Sequence, residues 1–237
     1  MNSRLAVLLL IVLASTITLV SSQSVADQFF KAEADNNVCR ANSDRFEPTD
    51  GLQKRQGSCS DTVQGEIPDV DHMVSSLIVE PENGQKLPAN KNFTVKISTI
   101  NLITGFFDDP ATEYYKFPQV VDKDTGNIFG HSHVTIQLLK SDNVAPDPKL
   151  FAFFKGLNDP ADDGFFFQVV GTETNNGLPA GHYRICTMVA SFAHQPTIMP
   201  VAQRGAQDDC IRIEVVDKDD GKKKRNTLNK KRKTKFL

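Results

Sequence analysis

From residue 74 onward, apolar side chains recur in short runs set between turn-forming residues. Phe93, Val95 and Ile97 alternate with Thr94, Lys96 and Ser98, the two-residue period of a strand with one buried face. Ile211, Ile213 and Val215 alternate in the same way with Arg212 and Glu214. Further strand-length runs lie at 76–79, 131–139, 150–154, 165–170 and 183–189. Asn83-Gly84 follows the first run and reads as a tight turn, and Gly126, Gly130, Gly156, Pro160 and Gly164 punctuate the middle of the chain. Seven strands with turns every ten or so residues, and almost no helical period, predict an all-β fold. The architecture expected is an antiparallel β-sandwich of immunoglobulin or fibronectin type. Pro179-Ala180-Gly181-His182-Tyr183 ahead of the penultimate strand fits a fibronectin-like module.

The start of the chain has a different pattern. Arg4 precedes an apolar run over 5–20, and Ser21, Ser22 and Gln23 follow. A basic start, an apolar stretch and small residues describe a cleavable secretory signal over 1–22. The run is shorter than the roughly 20 residues a spanning helix needs, and no other stretch suits a membrane span. Residues 23–55 form a polar, unpatterned pro-segment, expected to be disordered, that ends in Lys54-Arg55. A dibasic pair in an exposed segment of a secreted chain is where subtilisin-like processing proteases cut; the alternative is a chance pair on a loop. The sandwich is expected over 56–217, with a tail over 218–237.

Charge sharpens this division. Of 27 basic residues, nine fall between positions 222 and 235, where there is no acid. The rest of the chain therefore sets 18 bases against 29 acids, an acidic body with a basic tail. Lys222, Lys223, Lys224 and Arg225 form one quartet, and Lys230, Lys231, Arg232 and Lys233 another. Each fits a short nuclear-import signal read by an import receptor; each also suits nucleic acid, an anionic membrane or an acidic polysaccharide. Hydrophobic residues at 39% and charged residues at 24% exclude wholesale disorder and multi-span membrane proteins.

Cys39, Cys59, Cys186 and Cys210 are an even set in a secreted chain, which implies two disulfides. Cys186 and Cys210 lie in successive predicted strands, so the expected pairs are Cys186 with Cys210 and Cys39 with Cys59. The second bridge would straddle Lys54-Arg55 and keep the pro-segment attached after a cut. Asn92-Phe93-Thr94 is an N-glycosylation acceptor at Asn92.

Two stretches hold candidate chemistry. His131 and His133 alternate on one predicted strand, so both imidazoles share a face. With His194 from a separate loop they would make a three-nitrogen zinc or copper site. The structural alternative is that they hydrogen-bond loops at the sandwich edge, and no ligand-spacing signature decides between the two. Asp208 and Asp209 either add a carboxylate or satisfy loop amides. Asp108-Asp109 and Asp162-Asp163 read as turn residues rather than a glycosidase pair. Tyr114 and Tyr115 suit loop packing more than sugar stacking. There is no Gly-x-Ser-x-Gly elbow, no His-Glu-x-x-His and no reactive-cysteine context, so no enzyme and no cofactor are expected.

Several stretches carry a resemblance: Gly65-Glu66-Ile67-Pro68-Asp69, Gly130-His131-Ser132-His133-Val134, Phe151-Ala152-Phe153-Phe154-Lys155-Gly156-Leu157-Asn158, His194-Gln195-Pro196, and Pro200-Val201-Ala202-Gln203-Arg204-Gly205 followed by Asp208-Asp209. Together they resemble a family of secreted fungal proteins, mainly from basidiomycetes, whose members often bear a small-subunit ribosomal-protein label. The resemblance implies origin and secretion rather than a mechanism. It also places a family histidine where this chain has Arg204, whose positive charge beside the imidazoles would oppose a metal. More loosely, the chain looks like the rust transferred effector proteins, which have a cysteine-protease-inhibitor role.

The function expected is therefore a secreted fungal effector or surface protein that acts by binding, with translocation to a host cytoplasm and nucleus through the tail. Its partners would be a host or cell-wall protein, or a polyanion. One alternative is an inhibitor of a host cysteine protease, with loops 175–181 or 193–200 entering the cleft. Another is a metal- or carbohydrate-binding wall protein that uses the histidines.

Overall fold

The computed structural model describes Cys39, residues 46–171 and residues 176–217. The expected leader, the pro-segment apart from Cys39 and 46–55, and both basic quartets from Lys222 to Lys233 lie outside the described residues. The described residues fall into two compact units: Cys39, 46–50 and 54–61 in one, and 51–53, 62–171 and 176–217 in the other. Among the described residues no helix is long and apolar enough to cross a membrane.

In the smaller unit Cys39 is bonded to Cys59, with their Cα atoms 5.5 Å apart. Lys54 reaches the carboxylates of Glu47 at 3.3 Å and Asp50 at 3.1 Å, and donates to Pro48 O at 2.9 Å. Arg55 beside it is exposed.

Among its described residues the larger unit has one 3-10 turn, Val70–His72, followed by nine strands: β1 (Ser75–Glu80), β2 (Lys86–Pro88), β3 (Phe93–Ile100), β4 (Leu102–Ile103), β5 (Ile128–Leu138), β6 (Phe153–Leu157), β7 (Phe165–Val170), β8 (Gly181–Ser191) and β9 (Cys210–Val216). One sheet has the order β1-β3-β7; the other runs β2-β9-β8-β5, with β4 and β6 sharing the far edge of β5. Read as letters, this is A-B-E facing A′-G-F-C-C′, the strand arrangement of an immunoglobulin-like sandwich. Apolar side chains from both sheets fill the space between them: Ile78, Val95, Ile97 and Phe166 from one, Val134, Ile136, Ile185, Ile211 and Ile213 from the other.

The all-β sandwich is as the sequence predicts; the smaller sheet is antiparallel throughout, and the larger adds two short parallel pairs to its antiparallel ladders. β2 runs parallel to β9, and β4 parallel to β5. The chain changes sheets after β1, so Asn83-Gly84 is a crossing between sheets and not a hairpin. Arg212 N donates to the Asn83 side chain, and Gly84 N donates to Arg212 O, which brings β2 alongside β9. β6 also begins later than the aromatic run suggested. Leu150 and Phe151 are exposed, and strand geometry starts where Phe153 pairs with Ile136. Backbone pairing with β5, rather than side-chain alternation, sets that edge.

Tyr183 sits at the start of β8, almost completely buried, and its hydroxyl donates to Pro179 O at 3.0 Å. A tyrosine bonded to backbone a few residues upstream is the corner that fixes the approach to the corresponding strand in immunoglobulin-like domains. Tyr183→Phe leaves the ring in place and removes this hydrogen bond, while the carbonyl of the exposed Pro179 turns to water. It should cost about 0.5–1.5 kcal/mol, read by denaturant unfolding; an unchanged midpoint would show that the bond adds nothing net to stability.

Candidate functional site

Both faces of β5 are covered. Ile128, Val134 and Ile136 point into the sandwich, while His131, His133 and Gln137 point to its outside and are still buried. The cover on the outer face comes from loop 104–127 and from the turn after β8. Phe106 N bonds Gly130 O at 3.2 Å, Asp108 N bonds Phe192 O at 2.9 Å, and Tyr115 N bonds Ala193 O at 2.9 Å.

Two glutamines hold this cover in place. Gln119 is 1% exposed; its Nε2 donates to Glu66 O and Ile198 O, and its Oε1 accepts from Ile198 N at 2.8 Å. Gln195 accepts from the Ser191 hydroxyl at 2.7 Å and donates to Phe117 O. Neither residue carries a motif; a polar residue between apolar neighbours, as Gln119 is between Pro118 and Val120, is the one weak signal the sequence offers.

The turn after β8 delivers His194. Its backbone has φ of 72°, in the left-handed region that a non-glycine residue enters only when its surroundings hold it there. The bonds His194 N to Ser191 O and Ser191 N to Gln195 O close the turn. His194 thereby reaches His131 and His133, with ring centroids 4.5 and 5.5 Å away, and those two are 4.7 Å from each other. One ring nitrogen from each of the three lies within 4.8 Å of the others.

The hydrogen bonds settle two tautomers. His131 Nδ1 faces Phe106 O at 3.1 Å, and His133 Nδ1 faces Met188 O at 2.9 Å. A carbonyl only accepts, so each Nδ1 carries the proton and each Nε2 keeps its lone pair. His131 is fully buried and its Nε2 has no partner; His194 Nδ1 is buried and unpartnered as well. An orphaned buried polar atom costs about 1–3 kcal/mol. Burial pushes the His131 pKa down to about 3, with His133 and His194 adding to the effect. Burial also lowers His133 and His194, the latter against the opposing pull of Asp108 and Asp109. In each case the shift favours the neutral imidazole.

A cleft of about 480 Å³ opens onto His133 and His194. Tyr114 and Tyr115 stack at 4.1 Å along one wall, with Phe154, Met188 and Pro196 around the rest. Gly156, opposite His133 in the β5–β6 pairing, keeps that side low. Asp208 lies at the margin, where its Oδ1 accepts from Val189 N at 2.7 Å and the Thr187 hydroxyl at 3.2 Å; burial raises its pKa. Asp209 accepts from Ile78 N. Both carboxylates are thus committed to strand amides.

The other candidates lie elsewhere. Cys186 is bonded to Cys210 across the register of β8 and β9, with Cα atoms 4.2 Å apart. Asn92 is exposed immediately before β3. Arg204 does not act on the histidines: its guanidinium donates to Val201 O and to Gln207 Oε1. Asp109 accepts from Ala111 N and the Thr112 hydroxyl, and Asp162 bonds Phe165 through backbone at a tight turn, as turn residues do.

This geometry sits within a stretch that other proteins share. The chain is 44% identical over 193 residues to a protein of Colletotrichum graminicola (strain M1.001 / M2 / FGSC 10212) named pathogenicity cluster 5 protein d. That alignment takes in 78% of this chain, which spans 39% of the relative's length. Residues 76–216, from the first residues of β1 to the last of β9, match the CLU5d N-terminal domain, and the chain belongs to that family.

Proposed function

We propose that this chain is a secreted module of a fungal pathogenicity-associated family that works by binding rather than by catalysis. The observation that carries the reading is the cleft on the outer face of the larger sheet, walled by Tyr114, Tyr115, Phe154 and Met188. Stacked tyrosines give rigid, amphipathic contact area at low entropic cost, which suits recognition. Among the described residues no Ser, Thr or Cys lines the cleft to act as a nucleophile, and Asp208 is engaged with backbone. The pathogenicity role comes from the relative's name, and two disulfides suit an oxidising, extracellular setting. The tail, on its charge alone, is taken as an addressing or anchoring element, toward a host nucleus or a polyanion.

Inhibition of a host cysteine protease is the weaker reading. Ala193, Thr197 and Met199 of one proposed loop are buried, and a segment packed in this way does not project as a plug. In the other, Leu178 is buried while Asn176, Pro179 and Ala180 are exposed.

The test replaces the native gene in the source fungus with a Tyr114→Ala, Tyr115→Ala version. Secretion at the normal level with reduced host colonisation is the expected result. Normal colonisation by a fungus that secretes the variant normally would reject the cleft as the working surface.

A further inference from the structure

We propose that His131, His133 and His194 hold one late first-row transition-metal ion, Cu²⁺ in preference to Zn²⁺, with an open coordination position facing the tyrosine-walled cleft. The lone pairs are already arranged for it. The backbone carbonyls of Phe106 and Met188 fix the protons of His131 and His133 on Nδ1. Metal-binding imidazoles are oriented in just this way, by a carbonyl or carboxylate on the ring nitrogen that does not ligate. The Nε2 atoms are left as acceptors, and that of His131 is fully buried without a donor. His194 brings a second buried, unpartnered nitrogen to the same place. Unpartnered buried acceptors on converging rings are what a missing cation would satisfy.

Ligand chemistry narrows the ion. Three imidazole nitrogens as the converging ligand atoms are a poor site for Mg²⁺, Ca²⁺ or Mn²⁺, and a good one for Cu²⁺ or Zn²⁺, of which Cu²⁺ binds the more tightly. The charge around the site is favourable. Arg204 is turned away to Val201 O and Gln207, while Asp108 and Asp109 act on His194 from loop 104–127. Asp108 also keeps a buried Oδ2 with no partner.

Geometry requires one small movement. Neighbouring nitrogens bound to one ion at about 2.0–2.1 Å lie roughly 2.9 Å apart in the tetragonal geometry of Cu²⁺ and roughly 3.3 Å apart in the tetrahedral geometry of Zn²⁺, and the present set spreads to 4.8 Å. His131 and His133 are held by their carbonyl bonds, so closure falls to His194, whose Nδ1 is not engaged. Three protein ligands then leave a fourth position toward Tyr114, whose ring lies 5.9 Å from that of His194.

The inference fills the cleft proposed above as the binding surface, and so rests on that reading, but the two fail separately. The test is calorimetry of the full secreted chain, produced without an affinity tag and stripped with chelator, against Cu²⁺ and Zn²⁺. One ion per chain with a dissociation constant below about 1 µM is expected, tighter for Cu²⁺ than for Zn²⁺. Electron paramagnetic resonance of the Cu²⁺ form should show coupling to imidazole nitrogens. His194→Ala, on a turn rather than in the sheet, should weaken binding at least about 100-fold while circular dichroism shows the fold intact. The only other histidines, His72 and His182, serve as controls, and their replacement by Ala should leave affinity unchanged. No binding above buffer, affinity retained in His194→Ala, or affinity lost in the control variants would each overturn the site. The first of these would leave a bridging water as the partner of the orphaned nitrogens. A metal-free chain whose Tyr114→Ala, Tyr115→Ala form still loses colonisation would sink the metal and keep the cleft; tight metal binding with colonisation unaffected would do the reverse.

Discussion

Gly130→Ala should detach the end of β5 that carries His131 and cost about 3 kcal/mol or more, at or above the top of the usual range for overpacking. Gly130 lies in the sheet between Phe129 and His131, opposite Ser191 of β8. A Cβ added there would meet the carbonyl oxygen of Ala190 at 2.1 Å and Leu102 Cδ1 at 3.2 Å. The leucine can turn aside, but a backbone oxygen of the neighbouring strand cannot move without lengthening the β5–β8 ladder. Gly130 O also accepts from Phe106 N, so loop 104–127 loses an anchor when the strand shifts. Denaturant unfolding should show a lower midpoint, and proteolysis should nick loop 104–127 sooner. Gly205→Ala is the control. That residue is exposed, a Cβ there meets nothing within 4 Å, and the change should stay within about 0.5 kcal/mol. Equal stability of the two variants would mean that the strands part at this point without consequence.

The second large effect is expected from Cys186→Ala combined with Cys210→Ala. The two cysteines face each other in the register of β8 and β9, separated by 24 residues of chain. Closing a loop of that size stabilises by about 3 kcal/mol, chiefly by restricting the unfolded chain. For a domain of this size that corresponds to a melting temperature lower by roughly 6–12 °C. Removing both sulfurs avoids leaving a reactive thiol in a buried position. Differential scanning calorimetry of the purified variant measures the change. An unaltered transition, or peptide mapping that joins Cys59 to either residue in the wild type, would refute the assignment.

Much of the sandwich could be read from two-residue alternation. β7 and β9 occupy 165–170 and 210–216, the runs where phenylalanine, valine and isoleucine alternate or cluster between turn signals. In β3, Val95 and Ile97 are buried as their period required. Alternation also shows that His131 and His133 share a face, because residues two apart in a strand always do. It does not show whether that face is wet or covered. β5 is buried on both sides, and nothing in its own sequence distinguishes a covered outer face from a solvated one with two histidines on it.

Short pieces and pairings were harder to read. β2 and β4 have three and two residues, too few to carry a period, and exist because longer neighbours offer an unpaired edge. Their parallel direction follows from where the chain crosses between sheets, a property of the path rather than of local residue choice. The site itself depends on contacts between positions far apart. Gln119 ties Glu66 to Ile198, and His194 reaches the β5 histidines through a left-handed turn held by Ser191 and Gln195.

The amino-acid sequence by itself thus determined the secondary-structure class, which runs alternate as half-buried strands, and that His131 and His133 share one face of β5. These follow from local periodicity and from the free energy of burying apolar surface, both written in the order of residues. Only the tertiary structure decided that the outer face is roofed, that a third imidazole arrives there, and that two backbone carbonyls aim the β5 lone pairs inward. Such features arise from hydrogen bonds closed across tens of residues, for which no local pattern in the chain exists.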